Sequence, residues 1–271
     1  MTHTDKAAAN PPRALITGAS AGIGAALARQ FAAAGHDLVL VARSKPKLRA
    51  LAKELKADHG VKVTVLPTDL SQADARRGLF NEVEEGGFAI NVLVNNAGIL
   101  EMGAFADIET GRHLDLIELN VAGLTQLTHL FLGPMIARGE GKVLNVASIA
   151  AFQPIPSLAT YAATKAYVLS LTEALSEELK ETGITLTALC PGITATDMVA
   201  QAQASNDLAA RLPGLVISDV DDVAAQGFTA CMKGEVIRVP GVLNQAATLA
   251  ARSAPKWLVR AVGGLMGRAA L

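Results

Sequence analysis

The chain has 271 residues and a formal charge of −1; about half of it is apolar (51%) and only 4% is aromatic. A charge so near zero gives no bulk pull toward nucleic acid or an anionic membrane, and so few aromatics leave no base-stacking surface. Two cysteines without a CxxC pair (Cys190 and Cys231) and five scattered histidines argue against a disulfide frame and against a metal site, which leaves an enzyme for a small molecule.

Residues 1–12 are polar, Ala-rich and end in Pro-Pro, without the apolar stretch of a signal peptide. They read as a disordered lead-in, and with no run of roughly 18 apolar residues the expected location is cytoplasmic. Strands are predicted at 14–17, 37–41, 61–66, 90–94, 142–146, 185–189 and 236–239. Helices are predicted at 22–34, 46–57, from 71 onward, and at 111–136, 161–181 and 220–232. Short apolar strands alternating with helices mean repeated βαβ units around a parallel sheet. The expectation is α/β: one Rossmann-type doubly wound domain over 13–240, followed by a helical extension at 241–271.

The first strand runs into Thr17-Gly18-Ala19-Ser20-Ala21-Gly22-Ile23-Gly24. Glycines there allow a tight turn and let backbone approach a pyrophosphate at the start of the following helix. Gly18, Ser20, Ala21, Gly22, Ile23 and Gly24 are therefore candidate coenzyme contacts. The second strand ends in Arg43-Ser44, with no acid and with Lys45 and Lys47 close behind. An acid at this point suits the ribose hydroxyls of NAD, whereas Arg suits the 2′-phosphate of NADP, so NADP(H) is expected over NAD(H). Further on, Tyr161 and Lys165 stand four residues apart on one helix face. A phenol of pKa about 10 is a poor base at neutral pH, but a neighbouring ammonium favours the phenolate. A shift of about three units needs about 4 kcal/mol of differential interaction. Tyr167 has Leu171 rather than a cation at the same spacing, and packing is its expected role.

Five motifs stand in one order along the chain: the glycine turn at 17–24, Asn95-Asn96-Ala97-Gly98, Ser148 after the fifth strand, Tyr161 with Lys165, and Pro191-Gly192. Over 13–239 the sequence resembles the short-chain dehydrogenase/reductase family. The resemblance implies a catalytic set of Asn120, Ser148, Tyr161 and Lys165. Ser148 would bond the substrate oxygen, Tyr161 would transfer the proton, and Lys165 would bind the nicotinamide ribose and depress the tyrosine pKa. Asn120 would hold a water that links Lys165 to solvent. It also implies coenzyme contacts from Asp69 and Leu70, from Asn96, Ala97 and Gly98, and from Pro191, Gly192, Ile193 and Thr196. Asp69 reads equally as a helix cap. Asn95 would stabilise the centre of the sheet. A homodimer or homotetramer packed through the helices at 111–136 and 161–181 is implied as well.

Substrate selectivity is expected from Met102 and Phe105 after the fourth strand and from Phe152, Ile155 and Leu158 after the fifth. These side chains suit an apolar or aromatic carbonyl, for which a 3-oxoacyl thioester, a steroid or a simple ketone would serve. The stretch 198–212 reads as a lid or as an ordinary surface helix. In the tail, an amphipathic helix is expected to begin at Pro255, either docking on a subunit or substrate pocket or touching a membrane surface. Two other functional readings remain: epimerase or dehydratase chemistry on nucleotide sugars, and a non-catalytic NADP-sensing scaffold. The full Ser-Tyr-Lys-Asn set speaks against the second, and the lack of a separate substrate domain against the first.

Overall fold

Strands rich in Val, Leu, Ile and Ala suit a sheet covered on both faces, and β2 (Asp37–Ala42) is buried at every position. The computed structural model describes residues 11–194 and 218–255 together with Trp257. Its strands are β1 (Arg13–Thr17), β2, β3 (Val63–Pro67), β4 (Val92–Asn95), β5 (Gly141–Val146), β6 (Ile184–Leu189) and β7 (Ile237–Arg238). They pair in parallel in the order β3-β2-β1-β4-β5-β6-β7. The order reverses between β1 and β4, and the crevice beyond the strand ends at such a reversal is where α/β sheets bind ligands.

Two layers of helix cover the sheet. On one face Leu27 and Phe31 of α1 (Gly22–Ala33), Leu48 and Leu55 of α2 (Lys45–His59) and Val223 of α7 (Val220–Lys233) share a core with β1 and β2. On the other, Leu79 of α3 (Ala73–Glu85) and Leu127, Phe131 and Met135 of α5 (Leu124–Arg138) pack on β4 and β5. Val168 and Leu169 of α6 (Ala159–Glu178) continue that layer toward β6. Between the layers runs a buried polar chain. Asn95 donates to Thr128 and to the Asn145 side-chain oxygen (2.9 Å each), and Asn145 donates to Thr172 at 2.9 Å. Buried amides are tolerable only when bonded, so this chain pins β4 and β5 to α5 and α6.

Two features differ from the sequence expectation. The long helix at 111–136 is two helices, α4 (Thr110–Ile117) and α5, joined by a π-helical segment, Glu118–Gly123. Periodicity alone does not reveal a single wide turn. A helix α8 (Val242–Ser253) precedes the predicted tail helix and ends just short of Pro255, whose ring cannot continue it. Its Thr248 is buried against the body while Val242, Leu243 and Leu249 are exposed. The expected helix from Pro255 onward lies almost wholly outside the described residues, as do Thr196 and the stretch 198–216. Among the described residues, no helix is long and apolar enough to cross a membrane.

Candidate active site

At the end of β1 the chain turns sharply at Gly18, whose φ is +64°. Thr17 locks the turn to β4: its hydroxyl donates to the Val94 carbonyl (3.1 Å) and accepts from the Asn96 and Ala97 amides (2.9 and 3.0 Å). The Asn96 side chain then donates to the Thr17 and Gly18 carbonyls. Gly24 lies beneath this knot, where a methyl group would collide with the Gly18 carbonyl and the Asn96 amide. Helix α1 follows with Ala21 at its N-cap, no side-chain cap and no acid in its first turn. Its first backbone N–H groups and positive dipole end therefore have no side-chain acceptor there, and Ser20, Ala21, Gly22 and Ile23 are half-buried at the mouth. A dinucleotide pyrophosphate fits this cradle. At the next strand end Arg43 is exposed, and Ser44 sits at the N-cap of α2 with no side-chain bond to its own helix.

The catalytic candidates come together across the ends of β5 and β6. Ser148 caps a 3₁₀ turn (Ile149–Phe152), its oxygen accepting from the Ala150 amide at 3.1 Å. Tyr161, in the first turn of α6, has its phenol near Ser148, which pulls its pKa downward. Lys165 lies one turn on, its ammonium 5.7 Å from the Tyr161 ring centroid and donating to the Val146 carbonyl at 2.8 Å. Asn120, inside the π segment, grips Ile99 in both directions: its amide donates to the carbonyl (3.0 Å) and its oxygen accepts from the N–H (2.9 Å). The same amide reaches Thr164, whose hydroxyl donates to the Tyr161 carbonyl. Gly98 lies between the Asn120 oxygen and the Lys165 ammonium, where a methyl group would stand 3.1 and 3.7 Å from them.

Burial dominates the electrostatics of the site. Burial raises the Tyr161 phenol above its ordinary range, and only the nearby Ser148 works against that. Burial likewise pulls Lys165 down to about 8.

Other expected residues are held by contacts of their own. Leu70 turns its side chain into the core, and its carbonyl accepts from Arg76 at 2.8 Å. Asn96 braces the glycine turn with its amide. Asp69 uses Oδ1 to accept from the Ser71 amide and hydroxyl (3.1 and 2.8 Å), a local turn before α3 that holds its carboxyl below the usual range. Phe105 is 64% exposed and stacks on His113, whereas Met102, Phe152, Ile155 and Leu158 are half-buried. Pro191, Gly192 and Ile193 follow β6, and Asn244 of α8 packs directly on Gly192. Nothing in the sequence marked Asn244, because 241–271 was expected only as a helical extension without inner bounds. Tyr167 is part-exposed and pairs with the Thr125 hydroxyl at 3.0 Å instead of packing in the core. Both cysteines are free and buried.

A family model described as short chain dehydrogenase matches residues 12–207. The chain belongs to the short-chain dehydrogenase family. Within it, a putative ketoacyl reductase of Streptomyces coelicolor is 38% identical over 189 residues, which is 69% of this chain and 72% of that protein. A short chain dehydrogenase of Pseudocercospora fijiensis is 36% identical over 71% of this chain, a match spanning only 63% of the relative's length. Among solved structures, a short-chain dehydrogenase from Sphingobium yanoikuyae in complex with NADPH superposes with a TM-score of 0.79. It is 34% identical and covers 94% of this chain and 95% of its own. A family member from Burkholderia phymatum solved with NAD gives a TM-score of 0.80 at 25% identity, covering 88% and 92%. As a short-chain dehydrogenase the protein is an oxidoreductase that uses a nicotinamide dinucleotide.

Proposed function

We propose that the protein reduces a small, apolar ketone or aldehyde at the expense of NADPH, or oxidises the matching alcohol, with Tyr161 transferring the proton. The nearness of Ser148 to the Tyr161 phenol, with Lys165 one turn further along the same helix, carries this reading, because it sets two hydroxyls beside an ammonium. The bound dinucleotide supplies or accepts the hydride. Tyr161 donates its proton to the carbonyl oxygen as that oxygen gains charge, and a phenol kept protonated by burial is ready to do so. Ser148 steadies the same oxygen: its own contact to the Pro191 carbonyl is long, at 3.5 Å, and is readily exchanged for a substrate bond. Lys165, held near 8, would bind the nicotinamide ribose, and Asn120 would hold the water through which a proton returns from solvent.

Arg43 and Ser44 would bracket the 2′-phosphate. The free oxygen of Asp69 would accept from the adenine amino group, while Ala97, Gly98, Gly192, Ile193 and Thr196 would line the nicotinamide end. Met102, Phe152, Ile155 and Leu158 would shape an apolar substrate pocket, in keeping with the ketoacyl reductase among the relatives. Exposed Leu114, Ile117 and Ile136 on α4 and α5, beside Tyr167 on α6, suit a face that pairs subunits into a homodimer or homotetramer. Tyr161→Phe tests the central role: kcat on a panel of ketones should fall roughly 10²–10⁴-fold while NADPH binding, followed by its fluorescence, persists. Undiminished turnover would reject the assignment.

A further inference from the structure

The first turn of α6 presents Tyr161, yet it is weakly anchored by its own sequence. Its N-cap is Leu158, with no side-chain cap and no acid in the first turn. Just before it Ser157 has φ +67°, the left-handed region that a non-glycine residue rarely adopts. Beside it is a partly open cavity of about 240 Å³ bounded by Phe105, Ile108, His113, Leu116, Ser157 and Thr160.

Across that cavity stands His113 of α4, which is buried and uses both ring nitrogens. Nε2 lies 3.1 Å from the Phe105 carbonyl, so it carries the hydrogen; Nδ1 then accepts from the Thr160 hydroxyl at 2.8 Å. The Phe105 ring stacks on the same imidazole, with centroids 4.3 Å apart. One side chain therefore joins the loop after β4 to the residue immediately before Tyr161. Burial and two directed bonds fix its orientation.

We propose that His113 is a positioning residue: through Thr160 it sets where Tyr161 presents its hydroxyl, and through Phe105 it ties that setting to the loop beside the substrate. This rests on the reading of Tyr161 as proton donor, and the two can fail separately.

The two bonds can be removed one at a time. His113→Asn keeps a polar group near Nδ1 for Thr160 and loses the loop; His113→Gln keeps a donor near Nε2 for Phe105 and loses Thr160. Thr160→Val removes the second link without touching the histidine, and Thr160→Ser restores the hydroxyl. For ketone reduction, Thr160→Val and His113→Gln should lower kcat about tenfold to a hundredfold with little change in KM. His113→Asn should chiefly raise KM, and Thr160→Ser should recover most of kcat.

A second readout needs neither substrate nor coenzyme. The chain has two tyrosines, so in a Tyr167→Phe background the phenolate absorbance band reports Tyr161 alone. Adding Thr160→Val should bring its titration down toward the ordinary value of about 10 as water reaches the loosened turn; adding Thr160→Ser should not. Should wild type reduce no ketone while the titration shifts as described, the positioning role stands and the reaction assigned to Tyr161 falls. If kcat, KM and titration are all unmoved in Thr160→Val, or if every variant loses only thermal stability, His113 merely packs and the proposal is overturned.

Discussion

Arg43 is where coenzyme choice is expected to turn. A charge-assisted bond from a guanidinium to phosphate contributes about 1.5–3 kcal/mol, so Arg43→Ala should raise KM for NADPH about tenfold to a hundredfold and leave KM for NADH nearly alone. Steady-state assays with both coenzymes check this, and an equal shift for both would place the phosphate contact elsewhere. At this scale the sequence spoke clearly about which residues meet and poorly about their charge states. The four-residue spacing of Tyr161 and Lys165 put phenol and ammonium on one helix face, and they are there. Their proton affinities depend on burial and on the Val146 carbonyl, 19 residues upstream, which spacing cannot display. Leu70 shows the same limit. It follows Asp69 at a strand end, yet only the packed core dictates that it faces inward.

Among the elements, the glycine turn is the one most tightly specified by its chemistry. Gly24→Ala drives a methyl group into the Gly18 carbonyl and the Asn96 amide, and strain of this kind costs about 1–3 kcal/mol. Coenzyme affinity should drop at least about tenfold in fluorescence titration, with a lower Tm for the free protein. Intact affinity at a lowered Tm would separate the turn from the binding site. All seven strands were legible because runs such as Leu38-Val39-Leu40-Val41 are apolar on both faces. Helix α8 was legible only as part of a helical extension, because no side-chain cap at Gly241 marks where it starts. The π segment was hidden for another reason. Asn120 is polar yet buried among partners on Ile99 and Thr164, a tertiary arrangement that overrides local pattern.

For the molecule as a whole, buried groups, Lys165 and the two cysteines foremost, make stability depend on alkaline pH. Lys165 falls to about 8 on folding from an ordinary 10.5. The unfolded chain thus binds the extra proton between those values, and stability rises with pH across that window. Cys190 and Cys231 are pushed up to about 12 from 9. Above pH 9 the unfolded thiols release protons that the folded ones keep, so stability falls there, and two thiols outweigh one amine. Urea unfolding under reducing conditions should show a shallow maximum near pH 9. Replacing Lys165 with Met should remove the rise below it, and a Cys190→Ala, Cys231→Ala double variant should remove most of the fall above it. A flat profile from pH 8 to 10.5 would mean that these groups are solvated in the native state.

The wide turn at Glu118–Gly123 also acts as a phase adjuster. Leu127, Phe131 and Met135 are seated in the core, so the half of the helix that follows cannot rotate. Deleting Val121 would let ordinary α-helical winding run through; a wide turn takes up one extra residue, so α4 and α5 would keep their facing. The change falls inside the segment, where Asn120 loses the turn that sets it against Ile99 and Thr164. The shortened protein should keep its helical circular dichroism, melt no earlier than the parent, and reduce nothing: an enzyme silenced by becoming more regular.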